Sequence, residues 1–312
     1  MSTGPARRLV PVVCVGDVMT DVLAVARAPL AAGSDTASRV VVAGGGAAAN
    51  TAAWLAVAGH PVTFVGRVGD DVFGRTAVAE LTATGVSVRA AVDRGHPTGT
   101  CVVVVTQDGS RSMFPDTGAN AALVAADLPA DAFTTGAHLH LSGYTLLTEG
   151  SRPAGLAALD LARAAGMSIS VDPGSAGPIG RVGAAAMLGW VRGVDLLLAN
   201  ADEAELLAGR PGDPSAAADH LAGIVGEVVV KLGAGGATWT RAGADRRHAP
   251  AVANDVVDTT GAGDAFAAGF LPGWLAGDDP GEALRAGCRV AAAAVGRPGA
   301  RPTAPPGADR SR

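Results

Sequence analysis

Residues 258–264 read Asp-Thr-Thr-Gly-Ala-Gly-Asp, a string that could bind an anion beside a carboxylate. Small residues follow it, which indicates a turn that opens onto an Ala-rich helix. The amides of Gly261, Ala262 and Gly263 would then lie at a helix N-terminus, where unpaired N–H groups and the helix dipole favour a negative group. Asp264 would lie beside that group and could accept a proton. An acidic residue in a first helical turn also suits the dipole without any catalytic role, so the string alone leaves both interpretations open.

Two further sets of residues near the N-terminus could bind a polar small molecule. Gly45 and Gly46 precede a helical stretch in which Asn50 offers both a donor and an acceptor, and glycines let a ligand approach the backbone. Asp17 and Asp21 follow the first apolar run, at the carboxyl end of a strand, where open α/β sheets bind ligands. For Asn50 an ordinary helix cap is the alternative interpretation.

Asn200 and Glu203 are a candidate pair for a divalent cation. Three residues apart at the start of an expected helix, they face the same side, and oxygen ligands suit Mg²⁺. The same spacing is that of a capping box, which fits equally well locally. His138 and His140 alternate on a strand, but no third ligand has a fitting spacing, so we expect them to pack in the interior.

The elements that would position these residues alternate along the chain. Apolar runs of strand length recur, separated by segments with Ala and Leu at helical spacing. Continuous apolar strands that alternate with helices predict an α/β fold with a doubly wound, mostly parallel sheet covered on both faces. The expected strands are at 9–15, 62–65, 138–141, 168–171, 195–199 and 227–232, and the expected helices are at 50–58, 72–84, 153–165 and 201–207.

Two regions, about 22–43 and 96–118, break this rhythm. They are rich in Val and Thr with alternating polar positions, and the second contains an expected turn at 108–109. We predict antiparallel strands that stand off the main sheet as a lid. Because exposed strands invite pairing with another chain, we also expect a homodimer formed through the lid.

The expected domain covers residues 9–303. The segments 1–8 and 304–312 are rich in Pro, Gly or Arg and lack hydrophobic periodicity, so we expect disordered tails there.

The composition excludes several functional classes. The chain has 312 residues and a formal net charge of −5, and Lys231 is the sole lysine among 24 basic side chains. A Walker A loop needs Lys in G-x-x-x-x-G-K-[ST], which does not occur, so phosphate would be bound by backbone amides, arginines or metal. The lack of a basic stripe argues against a nucleic-acid partner. No apolar stretch has the length of a membrane span, and the three cysteines are scattered, so we expect a cytoplasmic protein.

Together these motifs resemble the PfkB, or ribokinase-like, family of carbohydrate and nucleoside kinases. The resemblance extends from about residue 10 to residue 303, and the two glycine-rich strings are specific as a pair. Further segments match in the family's order at 65–74, 115–120, 200–203 and 230–236. The resemblance implies the ribokinase-like fold and an ATP-dependent kinase that phosphorylates the hydroxymethyl group of a small sugar, with a nucleoside kinase as the alternative.

The resemblance also implies a role for each candidate residue. Asp264 would be the general base, and the amides of residues 261–263 would form the anion hole for the transferred phosphoryl group. Substrate hydroxyls would contact Asp21, Gly45, Gly46, Asn50 and Asp264. Asn200 and Glu203 would organise Mg²⁺ through water. ATP would contact Asn200, Lys231, Gly233, Gly236, Gly263 and Cys288, and around Lys231 the backbone would matter more than the ammonium. K⁺ would bind, mostly through carbonyl oxygens, at Asp258, Thr260, Ala294, Arg297, Gly299 and Thr303.

Three positions depart from the ribose-specific members of the family. Met19 stands where they place Asn, two residues before the aspartate that matches Asp21. Ala47 replaces a Lys, and Gly143 or Tyr144 replaces a substrate-binding Glu. The loss of three polar groups argues against a simple ribose kinase and leaves a nucleoside or a differently hydroxylated sugar open.

Two alternatives come from other functional classes. A catalytically silent sugar-binding regulator could share the fold, but Asp264 and the anion-hole string are intact. An oxidoreductase with a nucleotide cofactor would need G-x-G-x-x-G after the first strand. Here Gly261-Ala-Gly263 lies near the C-terminus and Phe266 occupies the position of the third glycine, which disfavours that class.

Overall fold

The computed structural model describes residues 9–107 and 111–303, so the expected tails and the expected turn at 108–109 lie outside the described residues. The strands are β1 (Val12–Val15), β2 (Met19–Ala26), β3 (Ser38–Gly45), β4 (Val62–Gly69), β5 (Ser87–Asp93), β6 (Thr100–Val105), β7 (Arg111–Asp116), β8 (His138–Ser142), β9 (Ser168–Asp172), β10 (Leu196–Asn200), β11 (Glu227–Lys231), β12 (Ala237–Arg241) and β13 (Arg247–Ala249). The helices are α1 (Ala47–Val57), α2 (Val72–Ala83), α3 (Tyr144–Leu147), α4 (Arg152–Ala164), α5 (Ala176–Val182), α6 (Ala184–Val191), α7 (Ala201–Ala208), α8 (Pro214–Leu221), α9 (Ala262–Leu275) and α10 (Pro280–Val295).

A nine-stranded sheet forms the centre of the fold, in the order β13-β12-β11-β10-β9-β8-β1-β4-β5. Its strands are parallel except where β12 pairs antiparallel with β11 and β13. Strand β1 has β8 on one side and β4 on the other, so successive strands are added outward in both directions from it. The predicted doubly wound, mostly parallel sheet is thereby confirmed.

The apolar runs form strands because both faces of the sheet are covered by helices. In β10, Leu196 and Leu198 pack towards α9 and α10, whereas Leu197 and Ala199 pack towards the layer of helices α3 to α8. All four side chains are fully buried. Successive strand residues point to opposite faces, so a strand buried on both sides shows no polar alternation. His138 and His140 lie in the same interior, with both rings hydrogen-bonded to Ser170.

The predicted lid is a separate four-stranded sheet in the order β3-β2-β6-β7. Its inner face is apolar and buried, and Met19 and Cys101 on that face line a cavity. Its outer face carries a cross-strand row in which Val22 of β2 lies opposite both Val42 and Val102, and Val102 lies opposite Phe114. We call Val22, Val42, Val102 and Phe114 the outer lid row. Phe114 is 61% exposed and Val42 58%, so this row is open to solvent.

Two local expectations are wrong. Asp21 belongs to lid strand β2, because β2 begins at Met19, and so it does not lie at the end of the first strand. Asn50 is not a helix cap, because α1 begins at Ala47 and Asn50 lies one turn inside it. Gly46 takes the N-cap position with φ of 94°, which side chains rarely adopt, and Asp17 Oδ2 accepts the hydrogen bond from the Ala47 amide at 2.8 Å.

Candidate active site

A cavity of about 1200 Å³ lies between the carboxyl ends of the main-sheet strands and the lid. It lies beside β1, where the strand order changes direction, as expected for ligand sites in open α/β sheets. Its polar lining comes from Asp17, Asp21, Asn50, Asn120, Tyr144, Asp172, Asn200, Glu203, Lys231 and Asp264. The structure therefore brings together residues that are up to 247 positions apart in the chain, from Asp17 to Asp264.

Three neighbouring strands end in polar residues on this cavity. Asp172 ends β9, Asn200 ends β10 and Lys231 ends β11, and Asn200 lies directly opposite Lys231 in the register. Lys231 Nζ lies 2.7 Å from Asp172 Oδ2, while Asp172 Oδ1 accepts the amide of Gly174 at 3.0 Å. Burial lowers the pKa of Lys231, but the carboxylates of Asp172 and Glu203 outweigh burial and raise it, so the ammonium stays charged.

Asn200 and Glu203 form the capping box and also line the cavity. Glu203 N donates to Asn200 Oδ1 at 2.9 Å, and Asn200 N donates to Glu203 Oε2 at 2.9 Å. Burial, and then the charge of Asp172, raise the pKa of Glu203 to about 7. A divalent cation near these two carboxylates would offset their repulsion, so the oxygen donors fit Mg²⁺. Among the described residues no three His, Cys, Asp or Glu side chains converge as a direct metal site.

Helix α9 starts at the floor of the cavity. Its N-cap, Gly261, has φ of 73°, and a Cβ there would come within 2.5 Å of the Ala300 Cβ, so only glycine fits. The Ala262 amide donates a long hydrogen bond of 3.3 Å to the Thr259 carbonyl. A Cβ on Gly263 would lie 3.1 Å from Lys231 Nζ. The lysine ammonium therefore lies against the first turn of α9, and two positive features face the same part of the cavity.

Asp264 projects from the same turn and is held by Asn50. Asn50 Nδ2 donates to Asp264 Oδ2 at 2.8 Å. Burial, and then the nearby Asp172 carboxylate, raise the pKa of Asp264 to about 8, although Asn50 and Lys231 act in the opposite direction. A carboxylate with such a pKa beside a helix N-terminus is suited to accept a proton near neutral pH.

Two carboxylates, those of Asp17 and Asp21, lie among apolar side chains at the lid end of the cavity. Ser142 Oγ donates to Asp17 Oδ1 at 2.7 Å, so Asp17 links the ends of β1 and β8. Asp21 is buried, and this burial raises its pKa to about 6, with the charge of Arg301 lowering it and Asp17 raising it. A Cβ on Gly45 would collide with the Asp21 carboxylate, which explains the glycine at that position.

Sequence reasoning missed three residues of the site. Asp172 follows a buried strand just as Asp17 does, and that signal could have identified it. Asn120 donates to the Val18 carbonyl at 2.9 Å and accepts from the Val18 amide at 3.0 Å, which fixes the chain between β1 and β2. Arg301 donates to the Gly45 carbonyl at 2.5 Å, and nothing in the sequence around it indicates that contact.

The residues expected to contact the nucleotide line the same cavity. Gly233 and Gly236 turn the chain between β11 and β12, and the Leu232 amide donates to the Gly236 carbonyl at 2.8 Å. Cys288 is buried on α10, with its sulfur 4.0 Å from the Ala249 carbonyl. The Lys231 ammonium, which was expected to matter less than the backbone around it, itself lies in this cavity beside Asp172.

Most of the residues expected to bind K⁺ also come together. Asp258 accepts the amides of Thr260 at 2.9 Å and Gly299 at 3.0 Å, which joins the two loops. The Ala294 carbonyl accepts the Arg297 amide at 3.3 Å. Thr303 is exposed at the end of the described chain. Oxygen ligands suit a hard cation, and the two loops that would supply them are joined through Asp258.

Comparison with known proteins identifies the family. A model described as pfkB family carbohydrate kinase matches residues 11–306. The chain belongs to this family. The ATP-dependent ribose-1-phosphate kinase of Halopiger xanaduensis is 33% identical, over 95% of this chain and 96% of the relative. An adenosine kinase structure from Sinorhizobium meliloti has a TM-score of 0.84 and 30% identity, covering 95% of this chain and 96% of that one. A fructokinase double mutant from Vibrio cholerae, bound to fructose, ADP and potassium ion, has a TM-score of 0.76 and 25% identity, covering 96% of each chain.

Membership of the pfkB family confirms two predictions from the sequence. The fold is ribokinase-like, with a small β lid, and the enzyme class is that of a kinase, a phosphotransferase with an alcohol group as acceptor. Within the described residues, no helix has both the length and the apolar character needed to cross a membrane.

Proposed function

We propose that this pfkB protein is an ATP-dependent kinase that phosphorylates the hydroxymethyl group of a small sugar. One observation carries the proposal: the Asp264 carboxylate and the Lys231 ammonium meet at the N-terminus of α9. A base, a fixed cation and helix amides in one place match the needs of phosphoryl transfer, in which positioning and charge stabilisation dominate.

In this mechanism Asp264 takes the proton from the attacking hydroxyl. Its Oδ2 is held by Asn50, so Oδ1 is the oxygen that faces the acceptor. The amides of residues 261–263 and the Lys231 ammonium stabilise the charge on the equatorial oxygens of the transferred phosphoryl group. Because burial keeps the pKa of Asp264 close to neutral, the proton moves to a base of matched strength.

The cations have separate proposed places. Asn200 and Glu203, with Asp172, would hold Mg²⁺, which would supply charge neutralisation on the nucleotide phosphates when bound. Lys231, Gly233, Gly236 and Cys288 contact ATP. K⁺ is bound by Asp258 and by carbonyl groups of the loop from Ala294 to Thr303. The similar fructokinase structure was solved with ADP and potassium ion, which supports a nucleotide and K⁺ as ligands in this proposal.

The negative charge of the part of the cavity that would hold the phosphate acceptor favours an uncharged substrate. Asp17, Asp21 and Asp264 face this part of the cavity, and Asn50 and Asn120 add neutral donors. Carboxylates accept hydrogen bonds from sugar hydroxyls but repel a phosphate or carboxylate on the acceptor. We therefore expect a neutral sugar in preference to a sugar phosphate or a sugar acid.

A nucleoside is the second candidate acceptor, and the apolar lid side of the cavity favours it. Met19, Cys101, Met113 and Pro115 line this side, and Tyr144 adds an aromatic ring. Such a wall can contact a base, whereas a sugar alone offers it few apolar atoms. The adenosine kinase among the similar structures supports this candidate.

A homodimer formed through the lid is part of the proposal. The outer lid row is a continuous apolar stripe, and Phe114 and Val42 on it are each more than half exposed. Exposed apolar patches on strands of this kind mark interaction surfaces. A second copy would cover the row with the same residues around a two-fold axis.

The deciding experiment is a screen for acceptor-dependent ADP release with Mg·ATP. The panel contains neutral pentoses and hexoses, nucleosides, ribose 1-phosphate and 2-dehydro-3-deoxygluconate, and the Asp264→Asn variant is the matched control for contaminating kinases. We expect turnover with a neutral sugar. A nucleoside as the best acceptor would favour the second candidate, and a preference for an anionic acceptor would contradict the charge argument. No turnover with any compound would favour the silent regulator.

A further inference from the structure

Arg301 is a buried arginine that reaches the substrate loop from the far end of the described chain. Its side chain is 8% exposed. The guanidinium donates to the Gly45 carbonyl through Nη2 at 2.5 Å and to Asn50 Oδ1 through Nε at 3.3 Å. Nη1 lies 3.4 Å from Glu80 Oε2 at the outer side. Gly44 has no room for a Cβ because the guanidinium occupies that space.

When Asp264 is ionised, as a base must be, Asn50 lies between a group that only donates and a group that only accepts. Arginine has no acceptor atom, and an ionised carboxylate has no donor. Asn50 can satisfy both only with Oδ1 towards Arg301 and Nδ2 towards Asp264, which is the orientation observed. A rotation of the amide by 180° would put its oxygen against the carboxylate and its NH₂ against the guanidinium, so both contacts would become repulsive.

We propose that Arg301 is a positioning residue for the catalytic base, which acts by fixing the amide of Asn50 so that its NH₂ group faces Asp264. The inference rests on the proposed function of Asp264 as the base. Arg301 does not contact the acceptor, since its donors are directed at Gly45, Asn50 and Glu80. Its effect is on how readily Asp264 ionises and on which oxygen of Asp264 remains for the substrate.

Other charges around Asp264 come from separate elements. Asp172 at the end of β9 and Asp17 after β1 raise its pKa, and Lys231 at the end of β11 lowers it. None of these three side chains contacts Arg301 in a hydrogen bond or ion pair of the described residues. A change confined to Arg301 thus leaves their positions in place and alters the contact of Asn50 with Asp264.

The test is the pH dependence of kcat/KM in Arg301→Met. The loss of the fixed amide removes a hydrogen bond that favours the ionised base. The acid limb, which is the rise of kcat/KM with pH as Asp264 loses its proton, should therefore move to higher pH. A hydrogen bond of about 1 kcal/mol corresponds to a shift of roughly 0.7 pH unit. At the alkaline plateau, kcat should return towards the wild-type value. A uniform loss of activity at every pH, with no shift, would overturn the proposal.

The matched control is Glu80→Gln, which changes only the outer partner of Arg301 and should leave the acid limb in place. In the Asn50→Ala background, Arg301→Met should cause no further shift, because the effect passes through Asn50. If Arg301→Met shifted the pH profile equally in that background, Arg301 would not act through Asn50, and the proposal would be contradicted. If Arg301→Met fails to fold, Arg301→Lys, which retains one charged donor, should give a smaller shift in the same direction.

A titration that needs no turnover separates this inference from the proposed function. The carboxyl carbon of Asp264 can be followed by ¹³C NMR, assigned by its absence in Asp264→Asn. We expect a higher pKa for Asp264 in Arg301→Met than in the wild type and in Glu80→Gln. An unchanged pKa would refute the role of Arg301 even in an inactive protein, whereas a shifted pKa without any kinase activity would refute the function alone.

Discussion

Lys231 Nζ lies 2.7 Å from Oδ2 of Asp172, and the two residues end strands β11 and β9 on either side of β10. The sole lysine of the chain is thereby held at the start of α9, against Gly263. A Walker lysine reaches phosphate from a glycine-rich loop, whereas this one reaches the same kind of place from a strand end. In the proposed function the phosphate site therefore includes a lysine although the Walker motif is absent.

Lys231→Met should reduce kcat strongly, in contrast to the sequence-based expectation that the backbone around Lys231 matters more than its ammonium. The ammonium is fixed before the reaction, so its removal takes away charge stabilisation that needs no rearrangement. We expect kcat to fall by roughly 10²-fold. Steady-state kinetics with the identified acceptor measures this. A change confined to the KM for ATP would return Lys231 to the minor role.

The pH profile should respond in opposite directions to the two members of this ion pair. Asp172 raises the pKa of Asp264 and Lys231 lowers it. The acid limb of kcat/KM reports the ionisation of the base in the free enzyme, and the base must lose its proton to act. The limb should therefore move to lower pH in Asp172→Asn and to higher pH in Lys231→Met. Shifts in the same direction in both variants would show that another group controls the limb.

Asp264→Asn should abolish most of the turnover and stabilise the protein at alkaline pH. The loss of a general base costs roughly 10²- to 10⁴-fold in kcat, while nucleotide binding should survive. Burial raises the folded-state pKa of Asp264 to about 8, so its contribution to stability is present below the unfolded pKa near 4 and is lost as pH rises to about 8. The Tm of Asp264→Asn should exceed that of the wild type at pH 9 and converge with it near pH 4. A constant difference in Tm would contradict the raised pKa.

Replacement of K⁺ by tetramethylammonium at constant Mg²⁺ and ionic strength should lower kcat. The bulky cation cannot enter between Asp258 and the loop that contains Gly299, which the Asp258 carboxylate holds together. Measurement of initial rates in the two salts checks this, with Na⁺ as an intermediate case. Equal rates in K⁺ and tetramethylammonium would remove the monovalent-cation site from the proposal.

A charge on the outer lid row should dissociate the homodimer. Phe114→Asp places a carboxylate at the exposed β7 end of the outer lid row, which a second copy would cover, and desolvating it opposes association. Sedimentation should show a monomer for this variant and a dimer for the wild type. Val72→Asp is the control, because Val72 is equally exposed at 61% but lies on α2, outside the lid. Dimers in both variants would place the interface elsewhere.

The sequence predicts the fold and the site best where an apolar run is followed directly by a polar or glycine-rich string. The apolar runs predict the sheet, and the strings around Asn50, Asn200 and Asp264 predict several of the polar residues that line the cavity. Edge strand β5 was missed because partial burial breaks its apolar run. The hairpin of β12 and β13 was missed because the glycines from Gly233 to Gly236 were interpreted as a ligand-binding loop and not as the turn between two strands.

What the sequence could not predict depends on distant contacts. The pairing of Lys231 with Asp172 spans 59 residues and follows from the order of β9, β10 and β11 in the sheet. Arg301 contacts Asn50 across 251 residues, and no local pattern specifies that partner. The start of α1 is another case: Gly46 takes the N-cap position, and Asp17 accepts the Ala47 amide from another loop, so the alternative of Asn50 as a helix cap does not hold.

The contacts of residues 299–301 have a consequence for how the protein is made. Ala300 accepts the hydrogen bond of the Trp54 indole across 246 residues, and Arg301 joins the same helix, α1. During translation, α1 and the lid leave the ribosome long before this segment exists. In the nascent chain Asp17 can already contact Ala47 and Ser142, but the indole and the Asn50 amide lack Ala300 and Arg301 as partners until nearly the whole domain has been synthesised. Because contacts this distant in sequence form slowly, we expect the completion of the cavity to be a late step in folding.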